Sequence, residues 1–290
     1  MKKSMVLVLF LMMLVEQLMG VNNYIELYSA YTNGSRVVIE GRVIDTKDKK
    51  TKESKLYSAF FNDEKKGVTL YLNIHGEQFV IKSDNEAYFS FDIKPKNELK
   101  RGENIGLKTS EEGSLQKIKP FFPSSKEHIG VISDFDDTVL ISDVTHKGKL
   151  LYNTFFKNYK ERKLVVDVAQ KIKNTLLKNK LQEDIALFFI SGSPHQLNNS
   201  INNFLDYHTF QKRAVLTKKI HGAKKDSLHA TVSYKYEKIV KLIKMYPHVK
   251  WVFFGDSGEK DSEIYQKVLT NYPKRVEKIY IRDVGNSNVD

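Results

Sequence analysis

Val131-Ile-Ser-Asp-Phe-Asp-Asp-Thr-Val-Leu140 sets three carboxylates within four residues and closes them between apolar residues on both sides. A short apolar run that ends in charge reads as a buried strand opening into a loop. That strand is Ile129–Ser133, and the same pattern recurs downstream in Ile185–Ile190, Arg213–Leu216, Trp251–Phe254 and Lys278–Ile281. Between these runs, Val165/Ala169/Ile172/Leu176, Leu197/Ile201/Phe204/Leu205, Ile239/Leu242/Ile243/Tyr246 and Ile264/Tyr265/Val268/Leu269 fall at helical spacing. Apolar strands alternating with helices predict an α/β fold, a Rossmann-like parallel sheet covered on both faces. In such sheets ligands sit at the carboxyl edge. Strand alternation predicts that Asp134 and Asp136 project together there while Asp137 points elsewhere. Two adjacent carboxylates repel, and a hard divalent cation, Mg2+ foremost, relieves them. The Asp-Phe-Asp spacing equally fits a glycosyltransferase pair holding Mn2+ and a sugar nucleotide. An Asp-rich surface turn fits the apolar flanks less well.

Companions decide between these. Leu187-Phe-Phe-Ile-Ser-Gly-Ser-Pro194 is another apolar strand ending in hydroxyls. Ser191 at its tip suits a phosphate oxygen, whereas Ser193 before Pro194 reads as a helix N-cap and is explained by capping alone. Trp251-Val-Phe-Phe-Gly-Asp-Ser-Gly-Glu-Lys-Asp261 adds Asp256 to the same edge, with Gly255 allowing close backbone approach. Its Gly-Asp-Ser-Gly tetrapeptide mimics a serine-protease segment, but the serine follows a strand in an α/β pattern and has no placed His and Asp partners. Asp261 reads either as a site residue or as the cap of a helix from Ser262. Lys235 lies four residues before Ile239 and is placed at the N-terminal end of that helix, where the dipole disfavours a cation. That misfit marks it as the phosphate-binding cation, with Lys238 as the runner-up.

Upstream, residues 24–93 alternate in strand fashion through 36–44, 68–74, 78–82 and 87–93, predicting a small antiparallel β-sandwich over 21–120 that shows no chemistry. Lys119-Pro-Phe-Phe-Pro-Ser-Ser125 marks a boundary, with a catalytic domain over 125–290. Met1-Lys2-Lys3 precedes the apolar run Met5–Val15, too short to span a bilayer of about 20 residues. Residues 1–20 therefore read as a secretory signal peptide or, with a poorly marked cleavage site, as a membrane tether, and predict export. The absence of cysteine excludes disulfides, thiol nucleophiles and zinc-thiolate sites. A net charge of +12 draws phosphates, anionic lipids and nucleic acids alike. The lysines are dispersed, and there is no clustered Arg run with stacking aromatics of the kind that marks a nucleic-acid binder.

In order, Asp134-Phe-Asp136-Asp-Thr138, Ser191, Lys235, and Gly255-Asp256 with Asp261 resemble the four motifs of the haloacid-dehalogenase phosphatase superfamily. Ser-Asp-Phe-Asp-Asp-Thr, Ser-Gly-Ser-Pro and Phe-Gly-Asp-Ser-Gly-Glu-Lys-Asp-Ser-Glu-Ile-Tyr265 are similar to the catalytic domain of the actin-patch-associated phosphatidate phosphatase family of fungi and bacteria. The resemblance implies a Mg2+-dependent phosphomonoester hydrolase. It makes Asp134 the nucleophile that carries an aspartyl-phosphate and Asp136 the general acid and base. It gives Mg2+ to Asp134, Asp256 and the backbone carbonyl of Asp136. Ser191 and Lys235 would grip phosphoryl oxygens, Asp261 would orient Lys235 or a metal-bound water, and Thr138 would fix the loop. It implies a phosphorylated lipid, phosphatidate first, with a nucleic-acid end or small phosphoester as rival substrate; an exported binding protein on an α/β scaffold is the rival of another class. Only 52 residues separate Thr138 from Ser191, which leaves little room for a cap domain. Ser142–Lys157 mixes bases and aromatics and reads as a flap meeting a membrane surface or as a helix packed on the core. His195 departs from the family, whose members commonly carry an aromatic residue there.

Overall fold

The computed structural model describes residues 23–45, 65–110, 115–123, 126, 128–141, 159–179, 185–219 and 228–284. Residues 1–20, read as a signal peptide or tether, and 142–157, read as a flap or a packed helix, lie outside these residues.

The first half is two antiparallel sheets. β1 (Asn23–Thr32), β2 (Val37–Asp45) and β5 (Tyr88–Ile93) pair in the order β1-β2-β5, and β3 (Thr69–Ile74), β4 (Glu77–Lys82), β6 (Ile105–Lys108) and β7 (Gln116–Ile118) pair as β4-β3-β6-β7. Alternation sends Ile25, Val37, Ile39 and Val43 of one sheet against Leu70, Leu72, Ile74 and Leu107 of the other, forming a sandwich core. β2 departs from the one-sided burial of an ordinary sandwich strand. Val37, Val38 and Ile39 are all fully buried. Val38 and its cross-strand partner Tyr31 turn outward into the core of the second half, against Ile132, Phe188 and Trp251. Phe121, in the connecting segment, is bonded to β1 in both directions, by Thr32 N–H to its carbonyl at 2.9 Å and from its own N–H to Ala30 O at 2.8 Å.

The second half is a five-stranded, wholly parallel sheet of β8 (His128–Ser133), β11 (Ala186–Pro194), β12 (Ala214–Lys218), β13 (Val249–Asp256) and β14 (Val276–Arg282) in the order β12-β11-β8-β13-β14. A small hairpin of β9 (Leu140–Ile141) and β10 (Lys163–Leu164) follows β8. Helices α1 (Val166–Leu176) and α2 (Asn198–Tyr207) cover one face, burying Ile172 and Phe204 with Phe189 and Phe254. Helices α3 (Leu228–Met245) and α4 (Asp261–Asn271) cover the other, burying Leu242, Ile264 and Val268 with Phe188 and Phe253. All five predicted strands and all four predicted helices are present. β8 is central, and the chain leaves it first toward β11 and later returns to its other side as β13. This reversal opens a crevice above the carboxyl end of β8.

Candidate active site

The strand tips converge on that crevice. β8 ends at Ser133, and the next residue, Asp134, is tied by its own N–H to Phe254 O of β13 at 2.8 Å. Its carboxylate is buried, as are those of Asp256 at the tip of β13 and Asp261 at the start of α4. One oxygen from each of the three lies within 4.8 Å of the others. Gly255 makes the approach possible: a Cβ there would lie 2.6 Å from Asp261 Cβ and 2.7 Å from Tyr265 Cε2.

Lys235 neutralises this cluster from α3. Its ammonium donates to Asp134 Oδ1 at 2.8 Å, Asp261 Oδ1 at 2.8 Å and Glu259 Oε2 at 2.7 Å. The side chain is 2% exposed, against 1% for Asp134, 0% for Asp261 and 42% for Glu259. Burial disfavours the charge on Lys235, but the three carboxylates outweigh it and hold the amine well above its usual range. Burial likewise pushes Asp134 well up, against the pull of Lys235. Asp261 is raised by burial, and Asp256 is pushed up to about 6 by burial with Asp261 and Glu259 beside it.

The oxygens divide their work. Asp134 Oδ1 serves Lys235, and Asp256 Oδ1 accepts from Gly258 N–H at 2.7 Å and Glu259 N–H at 3.1 Å. The remaining Oδ2 atoms face each other across Thr138, whose hydroxyl lies 3.3 Å from that of Asp134 and 3.4 Å from that of Asp256. Two buried, all-oxygen donors turned to one point and reluctant to ionise unaided fit a hard divalent cation.

Asp136 belongs to a second arm. Its Oδ2 accepts from Ser193 Oγ at 2.8 Å and Ser191 Oγ at 3.1 Å. Its Oδ1 is buried without a hydrogen-bond partner among the described residues. Burial raises its pKa, offset in part by the serine hydroxyls and by Arg162. Asp134 and Asp136 lie together beyond the end of β8, near enough for the charge of Asp136 to push Asp134 up, but not by strand alternation, and their carboxylates bond to different partners. Strand alternation ends with β8 at Ser133, the intervening Phe135 is fully buried, and Asp137 takes a left-handed φ of 54° with its carbonyl bound by Arg282.

Other sequence readings are revised as well. Ser193 is not a cap, because β11 continues through Pro194 and the hydroxyl is spent on Asp136. Asp261 opens α4 but does not cap it; its two oxygens go to Lys235 and, at 3.4 Å, to Asp256 N–H. Lys235 is not at a helix N-terminus, since α3 begins at Leu228, two turns earlier. What makes it unusual is its burial among carboxylates. Lys238 is bound to Glu40 of β2 at 2.5 Å and so is not the second candidate it resembled in sequence. His195 stacks on Tyr28, ring centroids 4.7 Å apart and planes within 9°, and its Nδ1 is hydrogen-bonded to Thr217 Oγ1 at 2.8 Å. It lies at the seam with the sandwich. Glu259 was missed because it sits between two carboxylates that already fitted a pattern, and no sequence pattern marks Arg162.

Residues 129–283 match the family described as Phosphatidate phosphatase APP1, catalytic domain. The chain is 29% identical over 191 residues to phosphatidate phosphatase APP1 of Saccharomyces cerevisiae, covering 64% of this chain and 32% of that protein. It is 23% identical over 240 residues to an uncharacterized protein of Schizosaccharomyces pombe, covering 79% and 37%. It thus spans about a third of the length of these relatives. Among solved structures, the Pnkp1/Rnl/Hen1 RNA repair complex aligns with a TM-score of 0.40 at 14% identity over 61% of this chain and 52% of that one, too slight a likeness to bear on function. The matched span takes in more than half of the chain, including the buried carboxylates, Ser191 and Lys235, and the chain belongs to the APP1 phosphatidate phosphatase catalytic-domain family.

Proposed function

We propose that this chain is a Mg2+-dependent phosphomonoester hydrolase acting on a lipid phosphate such as phosphatidate. The observation that carries the reading is Asp134: a buried carboxylate held on one oxygen by a buried lysine and turned on the other toward Asp256 across a shared hydroxyl.

Asp134 attacks phosphorus while Lys235 and Ser191 hold phosphoryl oxygens. The bond to the leaving oxygen breaks, and that oxygen takes a proton from Asp136. The unpartnered Oδ1 of Asp136 is the natural place for this proton, because its pKa is raised and Ser193 keeps its hydroxyl proton on Oδ2 when Ser191 turns its own to the phosphoryl group. Water then attacks the aspartyl-phosphate, Asp136 receives the water's proton, and the acyl phosphate bond cleaves to return Asp134 and release phosphate. Asp134 and Asp256 would hold Mg2+, which would supply neutralisation of phosphoryl charge. Asp261 holds Lys235 in register, and Thr138 holds the two metal-facing oxygens.

A lipid substrate is supported by the family and by the connection between Thr138 and Ser191, which is short for a cap domain. Export through residues 1–20 and contact of 142–157 with a membrane surface remain part of this proposal. Release of phosphate from an aryl phosphate in Mg2+, stopped by EDTA and lost in Asp134→Asn, tests the chemistry. Equal turnover by wild type and Asp134→Asn overturns it. A panel of phospholipids, nucleotides and sugar phosphates then tests the substrate class.

A further inference from the structure

An ammonium group has three protons to give, and Lys235 gives all three to carboxylates. A phosphoryl group gripped by Lys235 must therefore take the place of one of them. Asp134 and Asp261 are built into the buried framework: the first is tethered to β13 through its backbone, and the second is bound through both oxygens. Glu259 differs. Its N–H is pinned to Asp256 Oδ1 at 3.1 Å in the loop between β13 and α4, but its side chain reaches Lys235 from the solvent side. Swinging that carboxylate into water costs little desolvation, while moving either of the others strands a buried charge.

We propose that Glu259 is a displaceable carboxylate occupying, on Lys235, the position that a phosphoryl oxygen takes, and that it sets the selectivity of the site against free phosphate and small esters. The proposal rests on the phosphatase reading and adds a specificity-determining residue to it. Glu259 places a negative charge that is felt at Asp134, Asp136, Asp256 and Asp261 alike, as the upward push it exerts on each of them shows. A phosphoryl dianion entering with Glu259 in place meets that charge and finds no free proton on Lys235. An ester with a large remainder can offset the displacement with contacts far from phosphorus, whereas inorganic phosphate has only its own oxygens. Free product is then expelled as Glu259 returns.

The test is titration calorimetry of inorganic phosphate into the full chain with Mg2+, comparing wild type, Glu259→Gln and Glu259→Ala. Phosphate affinity should rise about tenfold in Glu259→Ala, the loss of one like charge and one competing acceptor at the site. The rise should be smaller in Glu259→Gln, whose amide oxygen still accepts from Lys235. KM for a small aryl phosphate should fall in the same order, so that the preference for a lipid phosphate over the aryl ester narrows. Denaturation midpoints of the three proteins confirm that all are folded. Unchanged or weaker phosphate binding in both variants overturns the proposal and makes Glu259 a positioning residue for Lys235. If wild type hydrolyses aryl phosphate while this occurs, the phosphatase reading stands alone. Phosphate binding by none of the three, with no hydrolysis, removes both.

Discussion

Replacing Lys235 with Met leaves the volume of the side chain nearly intact and removes its charge, stranding Asp134 and Asp261 in a site where they are 1% and 0% exposed. Breaking a buried pair in this way costs about 3–5 kcal/mol. The cost has a ceiling, because a stranded carboxylate can take up a proton. Relative to an unfolded pKa of about 3.9, protonating one carboxylate at pH 7.5 costs about 5 kcal/mol, and at pH 5 only about 1.5 kcal/mol. The sign follows from the raised folded pKa: the fold binds more protons than the unfolded chain, so its stability is greatest in acid and is lost as pH rises. The deficit of Lys235→Met relative to wild type should therefore be several kcal/mol at pH 7.5 and shrink toward pH 5. Urea denaturation in EDTA, followed by fluorescence of the single tryptophan, fully buried Trp251, reads this directly. Adding Asp134→Asn to Lys235→Met should recover more than 1 kcal/mol at pH 7.5. A Lys235→Met protein within 1 kcal/mol of wild type, with a difference independent of pH, would refute a structural ion cluster here.

Three further outcomes are expected. Removing either serine hydroxyl, in Ser191→Ala or Ser193→Ala, withdraws a donor that favours ionised Asp136, so its pKa rises further and the alkaline limb of the pH–rate profile moves to higher pH as the rate falls. An unshifted limb separates Asp136 from the proton transfer. Gly255→Ala drives a methyl to 2.7 Å from Asp261 Oδ2, and should cost about 1–3 kcal/mol in urea and more than tenfold in phosphate release; wild-type values for both would show that α4 yields. Burial holds His195 down to about 4, below its unfolded value, so the stability it contributes is present above about pH 6.5 and is lost as pH falls toward 4. His195→Phe should flatten wild-type stability over that interval by up to about 3 kcal/mol, as measured by denaturation at stepped pH.

The residues legible in sequence were those at the ends of apolar strands, because a charged side chain that terminates a buried run has few places to go but the sheet edge. Asp134, Ser191 and Asp256 announce themselves in this way. Where a local rule offered a sufficient cause, it hid the real one: Ser-Pro satisfies helix capping, yet β11 runs on through Pro194 and Ser193 turns to Asp136. Lys235 stands out in sequence as a cation at a helix start, but α3 begins at Leu228 and the lysine is distinguished by its carboxylate partners instead. The apolar stripe of α3 was read from Ile239, although Val232 and Tyr236, seven and three residues before it, continue the same helical spacing and pack against the core. Pairings between distant segments, such as Lys238 with Glu40, leave no local trace at all. β2 does leave a trace, because Val37-Val38-Ile39 is an unbroken apolar run rather than an alternation, and both of its faces are covered.

That doubly covered strand has a bearing on how the enzyme half can be handled. Tyr31 and Val38 close over Phe188 and Trp251, Tyr246 donates its hydroxyl to Thr32 O at 3.1 Å, and Asn33 caps Met245 O at 2.7 Å. Excision at about residue 125, guided by the family boundary alone, would strip this lid from an aromatic floor and present it to solvent as an adhesive patch. The fragment should precipitate or associate unless the upstream sheet is supplied in trans.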